Sequence, residues 1–262
     1  MRTRRTRRTT GLLALAAAAA LTAVGCTARP GLPAPDATAP PSAASAPAGA
    51  SAAAAPAPGS ATPAGAGRRL SPARLLSAVV PEAYLRDSYG TNPAAVRKPR
   101  KADTGIEPPS DPACARLLDA ANARHQPDRP PAVVEQTFNW KDDAYGSHSV
   151  LASYDDADAR AAFAQVRDGL ATCRAYEQRS PGRLYQGTVD VAATPVVGDE
   201  AVQFQITAPT EDGPHVTRYT VVRTGNCVAT FVQSAGRNEN RAFPPYVIAL
   251  QVMLLQQAQG AA

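Results

Sequence analysis

The chain has 262 residues and a formal charge of +5. Arg2, Arg4, Arg5, Arg7 and Arg8 account for all of that excess, since without them 22 basic residues face 22 acidic ones. The basic isoelectric point therefore describes the first few residues and not a basic face, and a nucleic-acid backbone is excluded as a partner.

Residues 1–25 pair that arginine cluster with an apolar run from Leu12 to Val24. This is the pattern of an export signal, with an apolar run too short to span a bilayer. The run closes on Leu21-Thr22-Ala23-Val24-Gly25-Cys26, which resembles a bacterial lipobox. Cleavage would precede Cys26, and its thiol would carry diacylglycerol; Ala23 stands where leucine is preferred. The competing reading is an ordinary signal peptide that happens to end near a cysteine. Arg7-Arg8 lacks the bulky apolar pair that twin-arginine export requires. Residues 26–68 are almost entirely Ala, Pro, Gly, Ser and Thr. Such a segment buries too little apolar surface to offset its ordering entropy, so a disordered tether is expected. The alanine, proline and arginine usage fits a high-GC bacterium such as an actinobacterium. The expected location is the extracytoplasmic face of the cell membrane, with the membrane as partner through the lipid on Cys26.

Residues 69–259 suffice for one well-buried domain. Ser71-Pro72 opens a short helix through Leu75, Leu76 and Val79, and Pro81 stops it. Arg86 to Pro109 has little periodicity and is expected to be an exposed loop with a small basic cluster at Arg97, Lys98, Arg100 and Lys101. Ser110-Asp111-Pro112 starts a second helix with an apolar stripe of Cys114, Leu117, Leu118 and Ala121. A strand follows in which Val134, Gln136, Phe138 and Trp140 alternate with Val133, Glu135, Thr137 and Asn139.

The clearest local unit is Ser147 to Cys173. His148, Val150, Ala152 and Tyr154 fall on one side of a strand, with Ser149, Leu151 and Ser153 on the other. Asp155-Asp156 supplies an N-cap, and Ala159, Ala162, Phe163, Val166, Leu170 and Cys173 then make one helical stripe. Alternating strands come next, around Tyr185–Val191 and Val202–Ala208. Asp212-Gly213 and Gly225-Asn226 are hairpin signals bounding Val216–Val222 and Cys227–Val232. A wide-stripe apolar helix begins near Pro244-Pro245. The predicted order is α-α-β-β-α-β-β-β-β-α. It describes an α+β domain with a single antiparallel-rich sheet of about six strands, one face dry and one wetter.

With Cys26 lipidated, Cys114, Cys173 and Cys227 remain. Cys114 and Cys173 both lie on apolar helix stripes, so a bridge pinning the two helices is sensible in an exported protein. Cys227 reads as an inert core thiol. No metal and no cofactor are expected: neither a CxxC pair nor a histidine cluster is present, and the aspartates lack calcium-loop spacing. His125, His148 and His215 are isolated in sequence, and no HExxH, GxSxG, SxxK or P-loop pattern occurs. A triad of His148, Ser149 and Asp155 fails because alternation sends His148 and Ser149 to opposite faces. The chain is therefore read as a non-enzyme.

Several of these features together carry a family resemblance. They are the lipobox, the Ala/Pro tether, the LLSAVV helix, Cys-x-x-Leu-Leu, the DDADARAAFAQVRDGLATC unit, the GDEAVQFQIT strand and the VVRTGNCVATF hairpin. The chain resembles, over residues 69–258, the actinobacterial sensor-domain lipoproteins, whose domain is similar to the extracellular domain of the Ser/Thr kinase PknH. The resemblance implies a helix-backed antiparallel sheet with a ligand cleft, and a family bridge at Cys114 and Cys173. It departs from the kinase in lacking a partner for Cys227, a kinase domain and a membrane helix. Two functions follow. One is a sensing or ligand-binding domain with a pocket lined by Phe138, Trp140, Tyr154, Phe204, Tyr219 and Phe231. The other is an envelope protein-interaction module using Arg86–Pro109 with Tyr84 and Tyr89.

Overall fold

The computed structural model of the chain describes residues 69–86, 88, 92–98, 106–124, 131–141, 143, 146–235 and 241–260. The signal segment, Cys26 and the tether lie outside the described residues, as do Tyr89, Arg100, Lys101 and His125.

Helix α1 (Pro72–Ser77) starts as its cap predicts: the Ser71 hydroxyl accepts from the Arg74 amide at 3.3 Å, and proline fills the first turn. A single 3-10 turn follows at Glu82–Tyr84. Strand β1 (Ala94–Val96) then runs into helix α2 (Pro112–Ala121), whose N-cap Asp111 accepts from the amides of Ala113 and Cys114 at 2.8 and 2.9 Å. Next come β2 (Ala132–Phe138), β3 (Ser147–Ser153) and the long helix α3 (Asp156–Thr172). Strands β4 (Ala175–Ser180), β5 (Arg183–Ala192), β6 (Glu200–Ala208), β7 (His215–Thr224) and β8 (Cys227–Ala235) complete the sheet, and α4 (Pro245–Gly260) ends the domain. The class is α+β, as expected.

The sheet has eight strands rather than about six, in the order β1-β2-β3-β8-β7-β6-β5-β4, all antiparallel. The two additions are the edges. Strand β1 is only Ala-Ala-Val inside the stretch read as a loop, so it has too few residues for a period to register. Strand β4 follows the α3 terminus with hardly a break and carries mostly polar residues, because Ala175, Glu177 and Arg179 on one side of it are exposed. Part of that edge is occupied by the segment before α2. The Glu107 amide donates to the Arg179 carbonyl at 2.9 Å and the Ser110 amide to the Glu177 carbonyl at 2.8 Å. Of the basic cluster, Arg97 is committed to Glu135 at 2.7 Å.

Helices cover both faces. On one, α1 and α4 bury Leu70, Leu75, Phe138, Trp140, Leu151, Ala229, Phe231, Phe243, Val247 and Leu255. On the other, α2 and α3 bury Leu117, Val150, Ala152, Phe163, Val166, Phe204, Ile206 and Val221. The expectation of one dry and one wetter face therefore fails at the centre: Ser149 and Ser153 of β3 are fully buried, because α1 and α4 cover the side that alternation alone would leave to water. It holds in the middle of β5, where Gly187 and Val189 are buried while Gln186, Thr188 and Asp190 are exposed, and lapses at Val191, which is 62% exposed.

Side-chain amides close the α1/α4 face. Buried Gln251 of α4 accepts from the Val80 amide at 3.2 Å and donates to the Ala78 carbonyl at 2.6 Å. Gln136 of β2 donates to the Val80 carbonyl at 2.9 Å. The backbone past α1 thus finds partners although it lies inside the protein. At the other end of α4, Gln259 accepts from the Asn226 amide at 3.0 Å and donates to the Thr224 carbonyl at 3.1 Å, gripping the β7–β8 turn. Gly225 there has φ +56, a backbone conformation that favours glycine, and the Gln259 amide packs directly beside it.

Candidate functional site

The six aromatic residues expected to line one pocket separate between the two cores. Phe138, Trp140 and Phe231 lie on the α1/α4 face and gather round Phe243. Its ring centroid is 5.0 Å from Phe138, 5.8 Å from Trp140 and 5.1 Å from Phe231. The Trp140 indole donates to the Ser147 hydroxyl. Tyr154, Phe204 and Tyr219 lie on the opposite face, the first two fully buried, and Phe204 and Tyr219 stack at 4.7 Å. The sheet stands between the two groups, so they do not form one cavity. The triad fails for the anticipated reason: in β3, His148 faces the α2/α3 side and Ser149 the other.

On the α2/α3 face the helices are locked as a pair. Cys114 and Cys173 are bridged across 59 residues with Cα atoms 4.8 Å apart. Gly169 allows the close approach, since a Cβ there would meet Leu117 Cβ at 2.8 Å and the Ala113 carbonyl oxygen at 3.2 Å. The far end of α2 is held by Arg97, whose guanidinium donates to the carbonyls of Asn122 at 2.7 Å and Ala123 at 3.2 Å while pairing with Glu135. Cations at a helix C-terminus answer its unpaired carbonyls.

This pair leaves part of the sheet face incompletely covered. The register sets Thr137, His148, Val232, Tyr219 and Phe204 side by side on β2, β3, β8, β7 and β6, and one pleat further Ser234, Thr217, Ile206 and Val189. Among these Thr137 is exposed and His148, Tyr219, Thr217 and Ser234 are part-exposed, over a buried floor of Val232, Ile206 and Val189. Part-exposed Tyr185 of β5 and buried Tyr176 of β4 continue the strip, their rings 6.2 Å apart. Tyr176 lies across Gly187, its register partner, where a Cβ would meet its ring at 2.8 Å.

The strip itself carries an imidazole and phenols, with Glu135, Arg97 and Arg124 close enough to act on His148. Burial lowers the His148 pKa, opposed by Glu135 and assisted by Arg97 and Arg124. Burial, and then the neighbouring Tyr185 phenol, push Tyr219 up to about 12. Tyr176 is raised by burial and by the phenols of Tyr185 and Tyr219, and Tyr185 by burial. Three phenols from β4, β5 and β7 are thus close enough to sense one another's charge. None of the three, and neither nitrogen of His148, has a side-chain hydrogen-bond partner among the described residues. A depression of about 460 Å³ at the tip of the β4–β5 hairpin, between Glu107, Arg179 and Leu184, contains none of these groups.

No protein-family model matches the sequence, and no curated protein matches it. Among solved structures, the extracellular domain of PknH from Mycobacterium tuberculosis is similar over 72% of this chain and 98% of its own length, with a TM-score of 0.50 and 15% identity. The chain has the fold of that extracellular domain. An uncharacterized protein of Mycobacterium smegmatis, the Rv0999 ortholog, is similar over 72% of this chain and 97% of its own, at 13% identity and a TM-score of 0.36.

Within this PknH-like fold, sequence reasoning singled out Tyr219 for a pocket and missed His148, Tyr176 and Tyr185 as its neighbours. Tyr185 stood on a recognised strand, and its register against an unrecognised edge strand hid the pairing with Tyr176. Tyr84, placed in the alternative interaction surface, is 56% exposed.

Proposed function

We propose that this protein is a non-catalytic sensing domain, exported and held at the outer face of the cell membrane by lipid on Cys26, that binds a ligand on the part-exposed strip of its sheet. The observation that carries the reading is the strip itself: three tyrosine hydroxyls and an imidazole without protein partners, set over an apolar floor. Buried or half-buried polar groups are normally satisfied, so a set of open ones on a single face is what a polar ligand would use. The PknH-like fold supports the class, since the similar solved domain is the extracellular part of its protein.

The test is native mass spectrometry of the chain produced by export, without reductant. A co-purifying adduct that Tyr219→Ala abolishes and Tyr246→Ala leaves in place is the expected result. An adduct equally stable in both variants would move the ligand off the strip. For the anchor, radiolabelled palmitate should be incorporated by the natural chain and not by Cys26→Ala.

A second reading, a protein-docking module, is favoured by one observation. Helix α4 carries no charged residue in its 16 positions, yet Tyr246 and Met253 on it are 42% and 44% exposed. Crosslinking on intact cells that captured the same envelope protein through α4, with no adduct on the strip, would promote it.

A further inference from the structure

The lining of the strip also constrains what can bind there, given that the strip is the binding surface. We infer that it takes an uncharged, polyhydroxylated ligand of saccharide type.

Three classes can be compared on the same residues. An ion would need an opposite charge to replace its water, and the strip offers none uncommitted. Arg97 is spent on Glu135 and the α2 carbonyls, and Arg124 has partners of its own. His148 and the tyrosines stay neutral around pH 7. A charge seated there would lose solvation without compensation. An acyl chain would suit Val232 and Ile206, but it would strip water from Tyr176, Tyr185, Tyr219 and His148 and give no hydrogen bond in return. A saccharide meets both demands. Each phenol hydroxyl and the neutral imidazole can donate and accept, as each sugar hydroxyl can. The C–H faces of a pyranose match tyrosine rings and an aliphatic floor, and rigid tyrosines lose little entropy on contact.

The experiment is saturation-transfer NMR on the exported chain with four probes: maltotetraose, chitotetraose, trigalacturonate and decanol. Saturation of one or both neutral oligosaccharides is expected. Tyr219→Ala should weaken that binding at least about tenfold, as for an aromatic anchor. Tyr219→Phe and Tyr185→Phe keep the rings and the fold, and should each weaken it roughly two- to tenfold by removing one hydroxyl. Tyr246→Ala, on α4, should change nothing. If trigalacturonate or decanol binds in a Tyr219-dependent way and the neutral sugars do not, the saccharide class is overturned while the strip stands as the site. If no probe shows a signal that depends on Tyr219 or Tyr185, both the class and the strip are overturned.

Discussion

The two faces of the sheet are built from the same strands and end up as different materials. The α1/α4 face is sealed. Its aromatic cluster around Phe243 is buried, and buried backbone groups beside it are paired by Gln251, Gln136 and Gln259. The α2/α3 face is braced rather than sealed, by a disulfide at one end of the helix pair and Arg97 at the other, and beyond the pair it leaves polar groups open. The difference teaches that bracing substitutes for coverage. A covalent link lets a helix pair hold its position without filling the whole face, and the uncovered part becomes available for binding.

The largest test of this contrast removes the brace. Replacing Cys114 and Cys173 together by alanine should cost about 4 kcal/mol, from the chain entropy of a loop of this length. Calorimetry reads the loss, and hydrogen exchange should place it in α2 and α3 while α4 keeps its protection. Equal loss of protection on both faces would mean that the faces are not separate materials. Next, Gln251→Leu should cost roughly 2 kcal/mol by leaving the Val80 amide and the Ala78 carbonyl unpaired, with exchange rising around α1 instead. If that variant is as stable as the parent, the amide seal contributes nothing.

Smaller effects come from single polar groups. The Tyr154 hydroxyl is buried under the α2/α3 helices without a partner, and burial raises its pKa. Tyr154→Phe should therefore leave urea stability unchanged or raise it by up to about 1 kcal/mol; a clear loss would reveal a partner for that oxygen. His148 gives a pH signature. Its folded pKa lies below 6.5, so the unfolded chain takes up the proton first. Its contribution is present above pH 6.5 and declines as pH falls from there toward the folded value. Glu135 opposes this shift, and Arg97 and Arg124 reinforce it, so His148→Gln should flatten denaturation midpoints between neutral and mildly acidic pH. The smallest effect is no reaction at all. Burial pushes the Cys227 thiol up to about 12, with a hydrogen bond from Ser153 acting against it. Iodoacetamide at pH 8 should leave Cys227 untouched until denaturant is added, and rapid labelling of the native chain would falsify its place in the sealed core.

Much of this was legible beforehand because it is local. The stripe Ala159, Ala162, Phe163, Val166, Leu170 and Cys173 is buried throughout, and the caps at Ser71 and Asp111 act on their own first turns. Cys114 and Cys173 could be paired because both sat on apolar helix faces. The strip was only partly legible. Tyr219 could be named, but its association with His148 runs through β8, which is inserted between β3 and β7 and pairs with residues some eighty positions earlier, and its association with Tyr185 runs through β6. No spacing in the sequence encodes that insertion.

The sequence by itself therefore determined the helices, most of the strands, the apolar helix faces that carry Cys114 and Cys173, and the α+β class, since each depends on a period or a cap contained in a few neighbouring residues. The tertiary structure decided which face each aromatic residue joined, where the short edge strands lay and which polar groups stayed open. Alternation says that a strand has two sides, but only the packing of distant helices decides which side is covered and how far.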